Sequence, residues 1–321
     1  MTYKKQFAVL STVIAALALI YVLTIVFDPQ RIGSRSDAYS WLDPKQKDKI
    51  DRLTITNQYE TVMLERRGSD WFVSRGGRDF PARRMRVEDF IDALCKRAPY
   101  PLRSSSPSSH QRLSLTAESS TQVVAAGGAG LPLLHLLIGQ GDVTGRNVYL
   151  RKQGQNEVRS GEDIFSAYTE SETASWYNLR LFPETESGRL EAASVQRLTV
   201  YPPDEYGEGT PFIFSRRGRE WTFTGVELES LDMGRVDNYI RDILNTSGDD
   251  FEETVSPSDP AFNDGRIVME LGDGGIRTLR TGYPDQDGKR LAIISGTNMV
   301  YSLPAWTSSR LFPDPYTFEE D

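Results

Sequence analysis

The stretch LERRGSDWFV, residues 64–73, returns as FSRRGREWTF at residues 214–223. Around these lines one succession of patterns runs twice, and that repetition constrains the fold more than any other feature of the chain. Each copy opens on an alternating strand pattern, IDRLTI (50–55) and VQRLTV (195–200). A second strand follows in each, TVMLERRG (61–68) and TPFIFSRRG (210–218), and after a turn come DWFV (70–73) and EWTF (220–223). Gly68 and Gly218 stand between apolar alternating runs, where a tight hairpin needs a residue that tolerates positive φ.

A helical stripe comes next in both copies. Val87, Phe90, Ile91 and Leu94 fall at i, i+3, i+4 and i+7, and Val236, Tyr239, Ile240, Ile243 and Leu244 repeat the spacing. Strand-like runs then return, LLHLLIGQGD (133–142) against IVMELGDGG (267–275), with two more runs behind each. The copies close on ASWYNLRLFP (174–183) and PAWTSSRLFP (304–313). Trp176 with Arg180, and Trp306 with Arg310, are four residues apart, which predicts one shared face of a helical turn that Pro183 and Pro313 stop.

The fold expected is therefore α+β: two tandem, similar antiparallel-sheet-plus-helix modules at 50–183 and 195–313, a linker at 184–194, and an acidic tail at 314–321. Trp71 and Trp221 read as core plugs over the seam between helix and sheet. Arg66–Arg67 and Arg216–Arg217 read as solvated flanks of the turns. The repeat is architecture on this reading, and Gly68, Trp71, Trp176, Arg180, Pro183, Gly218, Trp221, Trp306, Arg310 and Pro313 are its structural signature.

Residues 7–27, FAVLSTVIAALALIYVLTIVF, carry no charge. As a helix they would rise about 31 Å, matching a hydrocarbon core of about 30 Å. A cleaved signal peptide has a shorter apolar region and a small-x-small site, whereas this run ends on Ile25, Val26 and Phe27. The sequence predicts an uncleaved anchor within 1–28, embedded in lipid, and a juxtamembrane linker over 29–49. Arg31, Arg35, Lys45 and Lys47 beyond the span outnumber Lys4 and Lys5 before it, although long domains translocate largely regardless of charge. The short basic tail ahead of the apolar run places the N-terminus in the cytoplasm. The expectation is a single-pass protein of the cell (inner) membrane with an extracytoplasmic body.

The net charge of −8 argues against nucleic acid as a partner. Cys95 is the only cysteine, so neither an intramolecular disulfide nor a cysteine-based zinc site is available, and its place in the helical stripe predicts a buried, inert thiol. His110 and His135 fit no metal-ligand spacing. AAGGAGLP (125–132) lacks the Gly-Lys-Ser/Thr of a phosphate loop and reads as a flexible loop. YPDQDGKR (283–290) would place Gly296 where a calcium loop needs its last carboxylate, so it reads as a turn between strands. RSSSPSSHQR (103–112) reads as an exposed loop, and Asn245-Thr246-Ser247 is a weak glycosylation sequon. Glu162 with Asp163, Glu170 with Glu172, and Asp249 through Glu253 read as solvated acidic faces. No catalytic residue, cofactor site or metal site is predicted.

The order of strand, Arg-x-Gly-x-x-Trp, amphipathic helix, Gly-ended strand and terminal Trp/Arg segment, behind one span, resembles the bacterial family known as domain of unknown function 4340. Leu53–Ile55, Gly68, Trp71, Val87–Leu94, Ile138–Gly139 and Trp176–Pro183 carry the likeness with their second-copy partners, over nearly the whole chain after the anchor. The Ser- and Gly-rich insert of copy one departs from the pattern. The resemblance implies a membrane-tethered auxiliary protein of gliding-type ABC transporter components, with no catalytic residues to carry over. The function expected is non-catalytic docking of a partner such as an ABC-type permease complex or its auxiliary subunit. The alternatives are an envelope polysaccharide-binding scaffold, or a carboxylate-dependent envelope hydrolase with a cleft between the repeats.

Overall fold

The structure, a computed structural model, describes Leu17 and residues 38–183, 190–204, 210–259 and 261–320. Apart from Leu17, the expected span over 7–27 lies outside the described residues, as do part of the 29–49 linker and residues 184–189. Among the described residues no helix is long and apolar enough to cross a membrane. The protein is α+β and mostly sheet, with antiparallel sheets and a few helices. It divides into two compact units, the first ending at Trp176 and the second starting at Tyr177.

In the first unit β1 (Ala38–Tyr39) pairs with β6 (Ala98–Pro99) in a ribbon of their own. The main sheet starts with β2 (Ile50–Thr56), β3 (Thr61–Arg67), β4 (Asp70–Arg75) and β5 (Arg78–Pro81). After helix α1 (Arg84–Cys95) come β7 (Leu102–Ser104), the short helix α2 (Ser108–Arg112), and the meander β8 (Thr121–Gly127), β9 (Pro132–Gly141), β10 (Asn147–Lys152) and β11 (Val158–Glu162), then helix α3 (Ser166–Thr169). The strand order is β5-β4-β3-β2-β8-β9-β10-β11-β7.

The second unit holds β12 (Val195–Tyr201), β13 (Phe212–Arg217), β14 (Glu220–Thr224), helix α4 (Met233–Asn245), β15 (Asp250–Glu252), β16 (Gly265–Leu271), β17 (Ile276–Thr281), β18 (Arg290–Ile294), β19 (Val300–Leu303) and helix α5 (Ala305–Leu311). Its order is β14-β13-β12-β16-β17-β18-β19-β15. Strand for strand this is the order of the first sheet, less the edge strand β5. In both units the first strand that the main sheet takes up after the long helix, β7 and β15, lies at the far edge, and the next four return as a meander.

Period-two alternation puts one row of each strand inward. Leu53, Ile55, Leu64 and Val73 are buried in the first unit, and Leu198, Val200, Phe214 and Met269 in the second. Helix α1 closes the first core with Val87, Phe90, Ile91 and Leu94, and α4 closes the second with Val236, Tyr239, Ile240, Ile243 and Leu244. Each such side chain contributes about 1.5–3 kcal/mol by leaving water. Asp232 caps α4 by accepting from the Arg235 amide at 3.0 Å. Gly68 and Gly218 take φ of 64° and 66° in their hairpin turns, as the sequence predicts.

Several boundaries differ from expectation, each for a packing reason. Trp41 and Leu42, placed in the linker by sequence, are buried, and Leu42 donates its amide to Leu94 O at 3.0 Å, so the linker's second half belongs to the first core. The Ser-rich insert is no free loop: α2 leads into Leu113 and Leu115, which pack with Leu137 and Val158 on the outer face of the sheet. Residues 125–132 form the tight β8–β9 connection, and a Cβ on Gly127 would lie 2.7 Å from Lys49 O. The acidic tail docks as well: Phe318 is buried 5.1 Å from the Tyr239 ring and 4.9 Å from that of Phe214. Its carbonyl accepts the Asp232 amide at 2.9 Å. A single aromatic in a charged tail anchors it, because burying that ring outweighs leaving the carboxylates near the surface.

Candidate functional site

The echoed hairpins are the first candidate, and their geometry is internal. Trp71 and Trp221 are 4% and 3% exposed. Arg66 and Arg216 stand directly across the hairpin from them as strand partners. The Arg216 guanidinium lies 4.4 Å from the Trp221 ring centroid and 3.1 Å from Asp237 on α4, and the Trp221 indole donates to the same carboxylate at 2.9 Å. In the first unit Arg66 lies 5.9 Å from the Trp71 centroid and pairs with Asp51 at 2.8 Å. Sequence reasoning took these arginines as solvated flanks. The missed signal was the five-residue spacing across a two-residue turn, which sets Arg opposite Trp and lets the guanidinium cover the indole face.

The closing segments diverge. Trp176 ends a 3-10 turn, Thr173–Trp176, and is fully buried. Arg86 lies 4.8 Å from its ring and 5.3 Å from that of Tyr168, and donates to Ala167 O at 2.6 Å and Ser171 Oγ at 2.8 Å. Burial pulls this guanidinium below its ordinary value. The chain beyond Trp176 is not helical: Tyr177, Leu179, Leu181 and Phe182 bury in the second unit, and Arg180 bridges Ser247. This alternation draws the segment out as an extended strip, so Arg180 never shares a helical face with Trp176, and Pro183 follows half-buried. Trp306 does lie on a helix with Arg310, within α5, but it is 63% exposed, and Arg310 reaches Asp242 at 3.2 Å on the surface before the half-buried Pro313.

Two open depressions lie on the first unit. One, of about 690 Å³, is lined by Gly145, Arg146, Asn147, Glu162, Asp163 and Ser166. Asp163 Oδ1 accepts the amides of Phe165 and Ser166 at 3.1 and 3.0 Å, so half of the carboxylate pair noted in sequence is spent turning the chain into α3. Beside it Asp142 accepts from the Thr144 hydroxyl at 2.6 Å and the Asn147 amide group at 2.8 Å, and these bonds hold its carboxyl far below the usual range. The other, of about 630 Å³, is bordered by Pro44, Asp89, Asp92, Cys95, Lys96 and Tyr168. Burial pushes the Cys95 thiol up and keeps it protonated and unreactive. His135 meets Gln122 Oε1 at 2.9 Å, and burial, with Arg151 nearby, depresses its pKa. Among the described residues no group of three or more His, Cys, Asp or Glu could hold a metal ion. Asp285 uses its carboxylate on the amides of Asp287 and Lys289, at 2.9 and 2.8 Å, which is the geometry of a strand-connecting turn.

The remaining candidate is the outer face of the second sheet, opposite α4. Across five strands, Thr224, Ile213, Thr199, Val268 and Thr278 are successive partners in one row. The row is uncharged, with Thr199 at its centre buried, Ile213, Val268 and Thr278 half-buried and Thr224 exposed. An uncharged, β-branched strip of this kind suits contact with another protein surface. It offers no nucleophile and no acid–base pair.

A sequence profile of the family described as Domain of unknown function (DUF4340) matches residues 71–264, and the chain belongs to that family. The matched span starts at Trp71 and ends at Asp264, so it takes part of each unit, less than the near-complete coverage expected from the motifs. No curated protein matches the chain.

Proposed function

We propose that this protein is a membrane-anchored, extracytoplasmic accessory protein that acts without catalysis by docking a membrane-protein partner such as the permease complex of an ABC-type transporter. The anchor is the charge-free run over 7–27, which has the length and composition of a span. The body is two copies of one ancestral module, a reading supported by the repeated sequence and the common strand order. The observation that carries the docking role is the uncharged row Thr224–Ile213–Thr199–Val268–Thr278 on the sheet face that α4 leaves uncovered.

Two measurements test this. With Cys95 replaced by Ser in the full chain, a cysteine at exposed Gln286 reports topology. A membrane-impermeant maleimide labels it in intact spheroplasts on this reading, and labelling only after lysis refutes an extracytoplasmic body. Crosslinking followed by purification from detergent-solubilised membranes then recovers a permease subunit. A chain that emerges alone at native abundance, beside a transporter that works in its absence, refutes the docking role.

A further inference from the structure

Beside the uncharged row on the second unit's outer face runs a second row: Tyr201, Arg266, Arg280, Ile293 and Val300 are successive strand partners. Arg266 and Arg280 stand directly opposite each other on β16 and β17. Like charges in that position repel and weaken a sheet. Arg266 is exposed and Arg280 half-buried. The Arg266 guanidinium lies over the Tyr201 ring, 3.9 Å from its centroid, a cation–π contact that consumes none of its N–H donors. On the same face, beyond the uncharged row, Arg197 stands opposite Glu270 as an ordinary mixed-charge pair. At the other end the row enters a buried apolar cluster, where Phe262 packs on Ile293 and Val300.

We infer that this outer face binds an extended acidic segment of a protein partner, with partner carboxylates seated between Arg266 and Arg280 and partner apolar side chains along Val268 and Thr278. The inference rests on the docking role proposed above and names its surface and chemistry. Guanidinium forks pair bidentately with carboxylates, and two arginines side by side make a position that only an anion relieves. The adjoining row, two residues along the same strands, is uncharged and β-branched, so an extended segment with an acidic residue at one position and an apolar residue two further on meets both rows with one face. Polyanions and anionic lipid are disfavoured, because two facing arginines suit one or two carboxylates and are too few to hold a run of phosphates against the net charge of −8.

The test uses the full chain in the cells that make it. A photoreactive p-benzoylphenylalanine replaces Thr278, or, as a control on the first unit's outer face, Met63. Irradiation from the Thr278 position yields a protein adduct whose crosslinked peptide, identified by mass spectrometry, carries Asp or Glu within a few residues. Arg266→Glu with Arg280→Glu lowers that adduct about tenfold or more, and reversing the partner's carboxylates to Lys restores it. An adduct insensitive to these reversals, or one to lipid or polysaccharide, overturns the inference. A membrane-protein adduct from Met63 with none from Thr278 overturns this surface and leaves the docking role standing. No protein adduct from either position, together with purification of the chain alone, overturns both.

Discussion

The buried pair Arg290–Asp264 gives the sharpest test of how the second unit is held. The two side chains are 1% and 3% exposed and in direct contact, and Arg290 also donates to Gly282 O at 2.7 Å. Gly265 beside them admits no side chain: a Cβ there would meet Thr281 Oγ1 at 2.6 Å and Phe312 at 2.8 Å, so the site cannot relax toward solvent. Asp264→Ala therefore takes a contacting carboxylate away from a buried guanidinium, a cost of about 3–5 kcal/mol. For a domain of roughly 150 residues this lowers Tm by on the order of 10 °C. The double variant Asp264→Leu with Arg290→Met removes both charges, and its cost falls far below that of either single change. Guanidinium unfolding of the wild type, Asp264→Leu, Arg290→Met and their double variant, with hydrogen exchange read on β16–β18, closes the double-mutant cycle, and Asp264→Ala is measured beside them. A loss below about 1 kcal/mol for Asp264→Ala, or a double variant as weak as the sum of the singles, refutes the reasoning.

Four further outcomes follow from the geometry. Trp221→Ala costs about 3–5 kcal/mol while Trp306→Ala stays within about 0.5 kcal/mol, since only the first empties a core; equal effects in denaturant titrations refute the assignment. Deleting residues 315–321 removes the Phe318 ring from Phe214 and Tyr239, and lowers the denaturation midpoint of the second unit but not of the first. His135 has its pKa depressed in the fold, so the unfolded chain takes up its proton first, and the stability this gives at neutral pH is lost as pH falls through the ordinary imidazole range. His135→Gln flattens that part of the pH–stability curve, and an unchanged curve contradicts the assignment. Arg280→Thr relieves the cross-strand repulsion and raises stability by about 0.2–1 kcal/mol while lowering the Thr278 adduct, by less than the double charge reversal does; a destabilised variant means the arginine serves the fold.

Much of this architecture was legible as pattern. The alternating runs, the two glycines at hairpin turns and the i, i+3, i+4, i+7 stripes put the main strands and both long helices in place, because backbone periodicity is a local property. The register of each hairpin followed from its two-residue turn, and with it the Arg–Trp pairing, although that pairing was overlooked. The candidate interface was harder to see. Thr199, Val268 and Thr278 carry no motif, and Arg266 and Arg280 are far apart in sequence, so only the ladder brings them side by side. The closing motifs misled for a related reason: Trp176 and Trp306 each precede Arg-Leu-Phe-Pro by the same spacing and have opposite surroundings in space.

The amino-acid sequence by itself determined the membership of the family, the order of elements, the inward rows of the sheets and the charge-free run at the N-terminus, all of which depend on composition and short-range spacing. Tertiary structure alone decided where the first unit ends, at Trp176 instead of Pro183, that the C-terminal aromatic closes a core, and that two arginines share one face of a sheet. Those outcomes depend on which distant surfaces compete to bury a given side chain. That competition is settled by packing among elements far apart along the chain, where local pattern carries no information.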